Sequence, residues 1–343
     1  MKIGMITDSL PGTDFDTLLA TAARLELDML EFGCGNWSSA PHLNLVRMLE
    51  SEAERGNFKA RLAGHGIAIS ALNCSGNPLH PGETGRLHDA VTRKTIKLAS
   101  LMGVDRVVMM SGCPGAKGDG NANWITTEWP PEVREILRWQ WDEVLIPYWR
   151  DLVAYANRLG VRKLCLELHG HQNVYNVRTL MRLREAAGET VGANLDPSHL
   201  MWMGADPIAA VRALGEAIYH VHAKDTRVDP LIAGVNGVIE TTPGDRFQDR
   251  AWNYITLGYG HGELWWREFV AVLAAVGYDD VFSIEHEDPM LPALEGVEKS
   301  VEFLRHVLIN RPRSRGFIIP PSPQPSLALA GEGIPLPRVR EEG

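Results

Sequence analysis

Glu167, Asp196, His222 and Glu285 stand in four short segments, KLCLELHG, GANLDPSH, YHVHAKD and FSIEHED, each an apolar run ending in polar residues. A parallel strand buried on both faces reads as such a run. Each segment is followed by a helix-like stretch, so consecutive parallel strands deliver these side chains to one rim of one sheet. Three carboxylates and an imidazole make an oxygen-rich donor set for a divalent ion, with room left for substrate oxygens. Glu167 follows Leu164 and Leu166, and Glu285 follows Val281, Phe282 and Ile284. An unpaired carboxylate in such surroundings is costly, and one divalent ion offsets several of them. Any one of the four alone would read as a helix cap or an ion-pair partner. Recurring at four strand ends, they are expected as metal ligands.

Other polar residues cluster around them. His199, three residues after Asp196, is placed to reach substrate or a second ion. His169 and His171 follow Glu167 and read as partners of the ligands or as substrate contacts. His220 shares a strand face with His222 and lies one layer deeper, so His222, nearer the strand end, is the expected ligand. Lys224 and Arg227 continue outward, and Arg227 is expected to anchor an anion or a hydroxyl. Glu31 reads equally as a substrate contact and as a structural ion pair. Trp124, Trp129 and Trp252 fall in two long loops, Gly112–Pro131 and Arg227–Gly262. Aromatic faces suit the apolar side of a sugar, and packing of the loop itself is the alternative for each.

The elements that must position these residues alternate along the chain. Strand-like runs at KIGMIT, LDMLEFG, IAISALNC and RVVMMSG precede the four already quoted, and an amphipathic stretch follows each. Helices are expected over 15–25, 43–63, 87–102, 132–159, 177–187, 208–214, 265–276 and 293–308. Eight strand–helix units over residues 1–310 fit a closed (β/α)₈ barrel. An open doubly wound sheet is disfavoured, because no GxGxxG turn follows the first strand. Gly66, Gly103 and Gly160 stand where helices should end, and Asp206-Pro207 where one should begin. Residues 311–343 are rich in Pro, Gly and Ser without periodicity, and read as a tail outside the barrel.

Composition excludes several classes. The chain has 343 residues, 45% of them hydrophobic and 22% charged, and a formal net charge of −9. No Lys/Arg stripe is evident, which argues against nucleic acid as a partner. No long apolar stretch predicts a membrane span and no apolar leader opens the chain, so a cytoplasmic location is expected. The four cysteines lie far apart with no CxxC pair, and are expected as buried free thiols.

The pattern of ELH after the fifth strand, DPSH after the sixth, HxH-KD in the seventh and IEHED in the eighth resembles the xylose-isomerase-like barrel superfamily. That group holds sugar isomerases and epimerases, inosose dehydratases and AP endonucleases. The resemblance covers roughly residues 1–310. It implies Glu167, Asp196, His222 and Glu285 as metal ligands and His199 as a substrate-contacting residue. AP endonucleases of this fold carry a trinuclear zinc cluster with histidines after the third and fourth strands. Here those strands end in NCSGN and MMSGCPG, so the ligands for that cluster are missing. In the keto-sugar epimerases the glutamates ending strands five and eight are both ligands and the acid/base pair, and this chain keeps both.

The reading is a metal-dependent sugar isomerase or epimerase working through an enediolate, with Glu167, Glu285 and His199 catalytic. His169, His171, Lys224, Arg227 and Trp124 are the expected contacts to a small sugar. Mn²⁺ is favoured, with Mg²⁺, Co²⁺ or Zn²⁺ as alternatives. An enolate-forming lyase or dehydratase on a 3-keto-glycoside or keto-cyclitol is the rival enzyme, and a non-catalytic sugar-binding barrel the rival of another class. A dimer or tetramer is also expected.

Overall fold

Every barrel strand is a run of four to six residues whose burial is nearly continuous, which is the signature of a strand covered by helices outside and side chains inside. In the computed structural model, which describes residues 1–309, ten strands form. They are β1 (Lys2–Ile6), β2 (Met29–Gly33), β3 (Ala68–Asn73), β4 (Arg106–Met109), β5 (Lys163–Glu167), β6 (Val191–Leu195), β7 (Ile218–Ala223), β8 (Asp225–Val228), β9 (Trp252–Ile255) and β10 (Val281–Ile284). Eight of them close a parallel barrel in the order β1-β10-β7-β6-β5-β4-β3-β2. The fold is thus a single (β/α)₈ barrel. The tail read over 311–343 lies outside the described residues.

Helix boundaries follow local chemistry. Asn176 closes a capping box with Thr179 at the start of Val177–Ala187, and Asp206 caps Pro207–Leu214 through Ile208 N–H. Gly103 ends Glu83–Met102 at φ 70°, a left-handed position that glycine adopts without a Cβ penalty. Two expected helices are broken. The one read over 43–63 is split by Ser51, extended in backbone, which caps the second half, Glu52–Gly64. The one read over 132–159 contains a π turn, Gln140–Leu145. That turn aims the buried Gln140 amide at the carbonyls of Pro114 and Asn123, at 3.0 and 2.8 Å, and so fastens the first long loop.

The second long loop is also built rather than loose. It contains an antiparallel hairpin of β8 and β9, not foreseen from the sequence, with Thr226 opposite Tyr254 and Arg227 opposite Asn253. Asp225, fully buried, gathers the returning chain by accepting N–H bonds from Gly258, Gly260 and His261 at 3.2, 3.2 and 2.9 Å. A buried carboxylate is tolerated there because several donors satisfy it.

The barrel interior changes character along its axis. Ala71, Val108 and Cys165 pack together, with Tyr219 against them. Towards the strand ends the inward positions become Glu31, Asn73, Asn194, His220 and Ser283, all buried and polar. The ladder slips twice, between Leu30 and Glu31 against β3 and between Ala193 and Asn194 against β7. Such irregularities re-aim side chains, and both fall beside the polar layer. All four cysteines are free and buried, as expected. No helix among the described residues is long and apolar enough to cross a membrane.

Candidate metal centre and active site

Glu167 ends β5, Asp196 follows β6, His222 lies near the end of β7 and Glu285 follows β10. One ligand atom from each lies within 4.8 Å of the others. Asp196 also caps the short helix Pro197–Trp202, its Oδ1 accepting Ser198 N–H at 2.8 Å, which leaves Oδ2 free. Asp196 Oδ2, His222 Nδ1 and Glu285 Oε2 are all buried without a hydrogen-bond partner. His222 Nδ1 and Glu285 Oε2 approach to 2.8 Å, yet lack the alignment of a hydrogen bond. Buried polar atoms left unpaired are costly, so atoms converging on one point without partners fit a bound cation. The donor set of three carboxylates and one imidazole suits a divalent ion.

Residues beneath orient the set. Glu31, wholly buried, accepts from His222 Nε2–H at 3.0 Å, from Asn73 at 2.8 Å and from Ser283 at 2.8 Å. This settles its two readings in favour of a structural partner, and it turns Nδ1 of His222 towards the three carboxylates. His220 does lie one layer deeper, with Nδ1 on Asn194 Oδ1 at 2.9 Å, while Asn194 Nδ2 donates to Glu167 at 3.2 Å. Burial alone would raise Glu31, but His222 and His220 outweigh it and hold the carboxyl at about 2. His222 moves the other way. Burial opposes its charge, yet Glu31 and Glu285 keep it well above the ordinary histidine range.

The two glutamates are pushed apart. Burial raises Glu167, and the charge of Glu285 adds to the rise. Burial would raise Glu285 as well, but Lys224 and His222 more than reverse it and hold it well below the carboxylate range. Lys224 is itself buried, 3.5 Å from Glu285 Oε2 and 2.8 Å from Glu287 Oε2, under the Tyr254 ring at 4.1 Å. His199 binds Glu167 Oε1 through Nε2 at 2.8 Å and meets the Tyr254 hydroxyl through Nδ1 at 2.8 Å. Burial, with Lys224 adding to it, drives His199 well below its usual range, so the ring is neutral and donates its Nε2–H to Glu167.

The remaining expected contacts divide. His169 packs against His199 with ring centroids 4.2 Å apart and belongs to the site. Trp124 and the exposed His171 pair edge-to-face at 6.3 Å on the adjoining loop. Arg227 is exposed on the hairpin and makes no ion pair with the four candidate ligands. Tyr254, Asn194 and Glu287 were missed, and the sequence leaves Glu31 between two readings. The alternating WNYI of β9 was a signal for a strand carrying Tyr254; the others had none beyond their place at strand ends.

A closed parallel barrel with a polar, ion-competent mouth places the chain among the (β/α)₈ barrels, and sequence comparison gives the family. The family model for xylose isomerase-like TIM barrels matches residues 19–307, and the chain belongs to that family. An uncharacterized protein, YfiH of Bacillus subtilis, is 48% identical over 311 residues, covering 90% of this chain and 99% of YfiH. Among solved structures, the IolI protein with a bound zinc atom aligns at TM-score 0.63 and 19% identity, over 90% of this chain and 98% of its own. AsbF, a probable 3-DHS dehydratase from Bacillus anthracis, aligns at 0.62 and 15%, over 89% and 99%. An L-ribulose 3-epimerase aligns at 0.57 and 16%, over 90% and 94%. These structures share the fold with this chain, and an epimerase and a probable dehydratase stand among them.

Proposed function

We propose that the protein is a divalent-metal-dependent sugar isomerase or epimerase acting on a keto-sugar or related polyol. The observation that carries this is the convergence of Asp196 Oδ2, His222 Nδ1 and Glu285 Oε2, buried and unpartnered, beside Glu167. Mn²⁺ is our preferred ion, because three of the four donors are carboxylates. When bound, the ion supplies a Lewis acid that lowers the cost of turning a substrate carbonyl and its neighbouring hydroxyl into an enediolate.

The protein's own groups supply the proton traffic. Glu285, kept ionised by Lys224 and His222, takes the carbon-bound proton. Glu167, whose carboxyl is raised, returns a proton from the other side, and His199 holds it in place. Two carboxyls pushed apart by their surroundings divide the acid and base roles. His169, Lys224, Trp124, His171 and Arg227 are our candidate substrate contacts, with Arg227 the most remote.

The test is NMR of unlabelled ketoses in D₂O with Mn²⁺-loaded protein. The expected result is deuterium at the carbon beside the carbonyl together with a new epimer or isomer. Absence of exchange with every ketose and keto-glycoside tried refutes the enzymatic reading and leaves a sugar-binding barrel. The Tyr254–His199 pair beside Glu167 favours one second reading, in which it protonates a departing oxygen and the enzyme is a lyase or dehydratase. An unsaturated product or a released aglycone identifies that outcome.

A further inference from the structure

The turn after β1 carries a carboxylate that none of the roles above uses. Along β2 the side chains alternate: Glu31 points into the barrel, Phe32 packs outward against Phe15 and Phe58, and Gly33 faces inward again. A Cβ on Gly33 would collide with the Asp8 and Ser38 side-chain oxygens. Asp8 and Ser38 therefore sit over the inner face of the barrel one layer above Glu31, at the mouth. Neighbouring Ser9 fastens the same turn to the end of β10, with its hydroxyl receiving His286 N–H at 3.0 Å and lying 3.4 Å from Ile284 O. Asp8 is thereby held on the side of the mouth formed by Glu285.

The hydrogen bonding of the pair is directional. Ser38 Oγ accepts Ala40 N–H at 2.9 Å and donates to Asp8 Oδ1, so its proton is committed. Asp8 Oδ2 is enclosed and has no donor. What the pair lacks is an O–H or N–H, not an acceptor. Burial raises the Asp8 carboxyl, the Ser38 bond opposes this, and the charges of Glu31 and Glu285 add to the rise, so both lie within electrostatic reach. Among the described residues, the one Lys or Arg paired with the site's carboxylates is Lys224, and Glu285 and Glu287 already engage it. A phosphate or carboxylate arriving at Asp8 would meet acids and no further Lys or Arg among the described residues.

We propose that Asp8, presented with Ser38 over Gly33, is a hydroxyl-binding subsite that selects uncharged polyols and turns away phosphorylated or carboxylated ones. It rests on the sugar reading above and narrows it to unphosphorylated substrates. Asp8→Asn keeps the shape and an acceptor for Ser38 and removes the charge.

Calorimetry on Mn²⁺-loaded protein, with D-fructose, D-tagatose and their 1- and 6-phosphates as probes, tests this without requiring turnover. In the native protein at least one free ketose binds about tenfold or more tighter than its phosphate esters. In Asp8→Asn that ketose weakens about fivefold and the gap to the esters closes, with metal content and Tm unchanged. Ser38→Ala, which frees Asp8 to rotate, also weakens the ketose and is the check should Asp8→Asn fold poorly. A gap that survives in both variants, or esters that bind the native protein as well as free ketoses, overturns the subsite while leaving the sugar reading standing. If no ketose binds fully metallated protein, the sugar reading falls and the subsite with it.

Discussion

Glu31 and His222 meet at 3.0 Å inside the barrel, 191 positions apart in the chain, and this contact fixes which imidazole nitrogen faces the carboxylates. Partners of this kind set the tautomer of a metal-binding histidine and raise its basicity. Glu31→Gln is expected to weaken metal binding by about 10- to 100-fold, read by competition with a coloured chelator. An unchanged affinity would show that His222 orients itself without Glu31.

Metal binding is expected to release protons. His222 is held protonated, and Asp196 is pushed up to about 8, by burial first, against Lys224 and with Glu167 and Glu285 adding to it. The ordinary value of Asp196 is 3.8. Its folded form thus holds the proton more tightly than the unfolded form, which favours the metal-free fold at low pH. That advantage is lost as pH rises from near the ordinary value towards about 8. The Tm of metal-free protein should fall over this window, and Asp196→Asn should flatten the fall. Added Mn²⁺ should raise the native Tm most at the alkaline end, and calorimetry in buffers of different ionisation enthalpy should count the protons.

Asp196→Asn separates stability from function. The substitution replaces a buried carboxyl that resists ionisation with a neutral amide, so the metal-free variant should melt no lower than the native protein, above all at alkaline pH. It should also lose the metal-induced rise in Tm. A large destabilisation would mean that the carboxylate serves the fold through its cap on Ser198 more than it serves an ion.

Tyr254→Phe removes the hydroxyl that steadies His199 at Nδ1. The expected effect is a fall of about tenfold in kcat, the size of one positioning hydrogen bond of about 1.4 kcal/mol, with little change in KM. A rise in KM alone would instead make Tyr254 a substrate contact.

The barrel and its rim were legible because strand burial and strand-end chemistry are written locally. Four apolar runs each ending in Glu, Asp or His need no partner to be recognised, and the structure brings those four together. Glu31 could not be assigned, because its role depends on a histidine five barrel strands further along the chain. The hairpin was hidden in a loop judged by its length, although WNYI alternates as a strand does. The break at Ser51 and the π turn at Gln140 are local deviations within otherwise helical patterns, and periodicity alone smooths over both. Asp8 gave no signal: only the inward turn of Gly33 reveals where it stands.

One residue, Lys224, separates the last residue of β7 from the first of β8. The chain passes from barrel wall to hairpin through it, and its ammonium lies beneath Tyr254 of that same hairpin. The loop over the site and the charge that keeps Glu285 ionised are therefore mechanically one piece. Lifting the hairpin to admit a ligand would draw Lys224 outward and weaken its hold on Glu285, while reseating it would restore that hold. Access and protonation are geared together: with the mouth shut Glu285 is held ionised, and with it open Glu285 takes up a proton more readily.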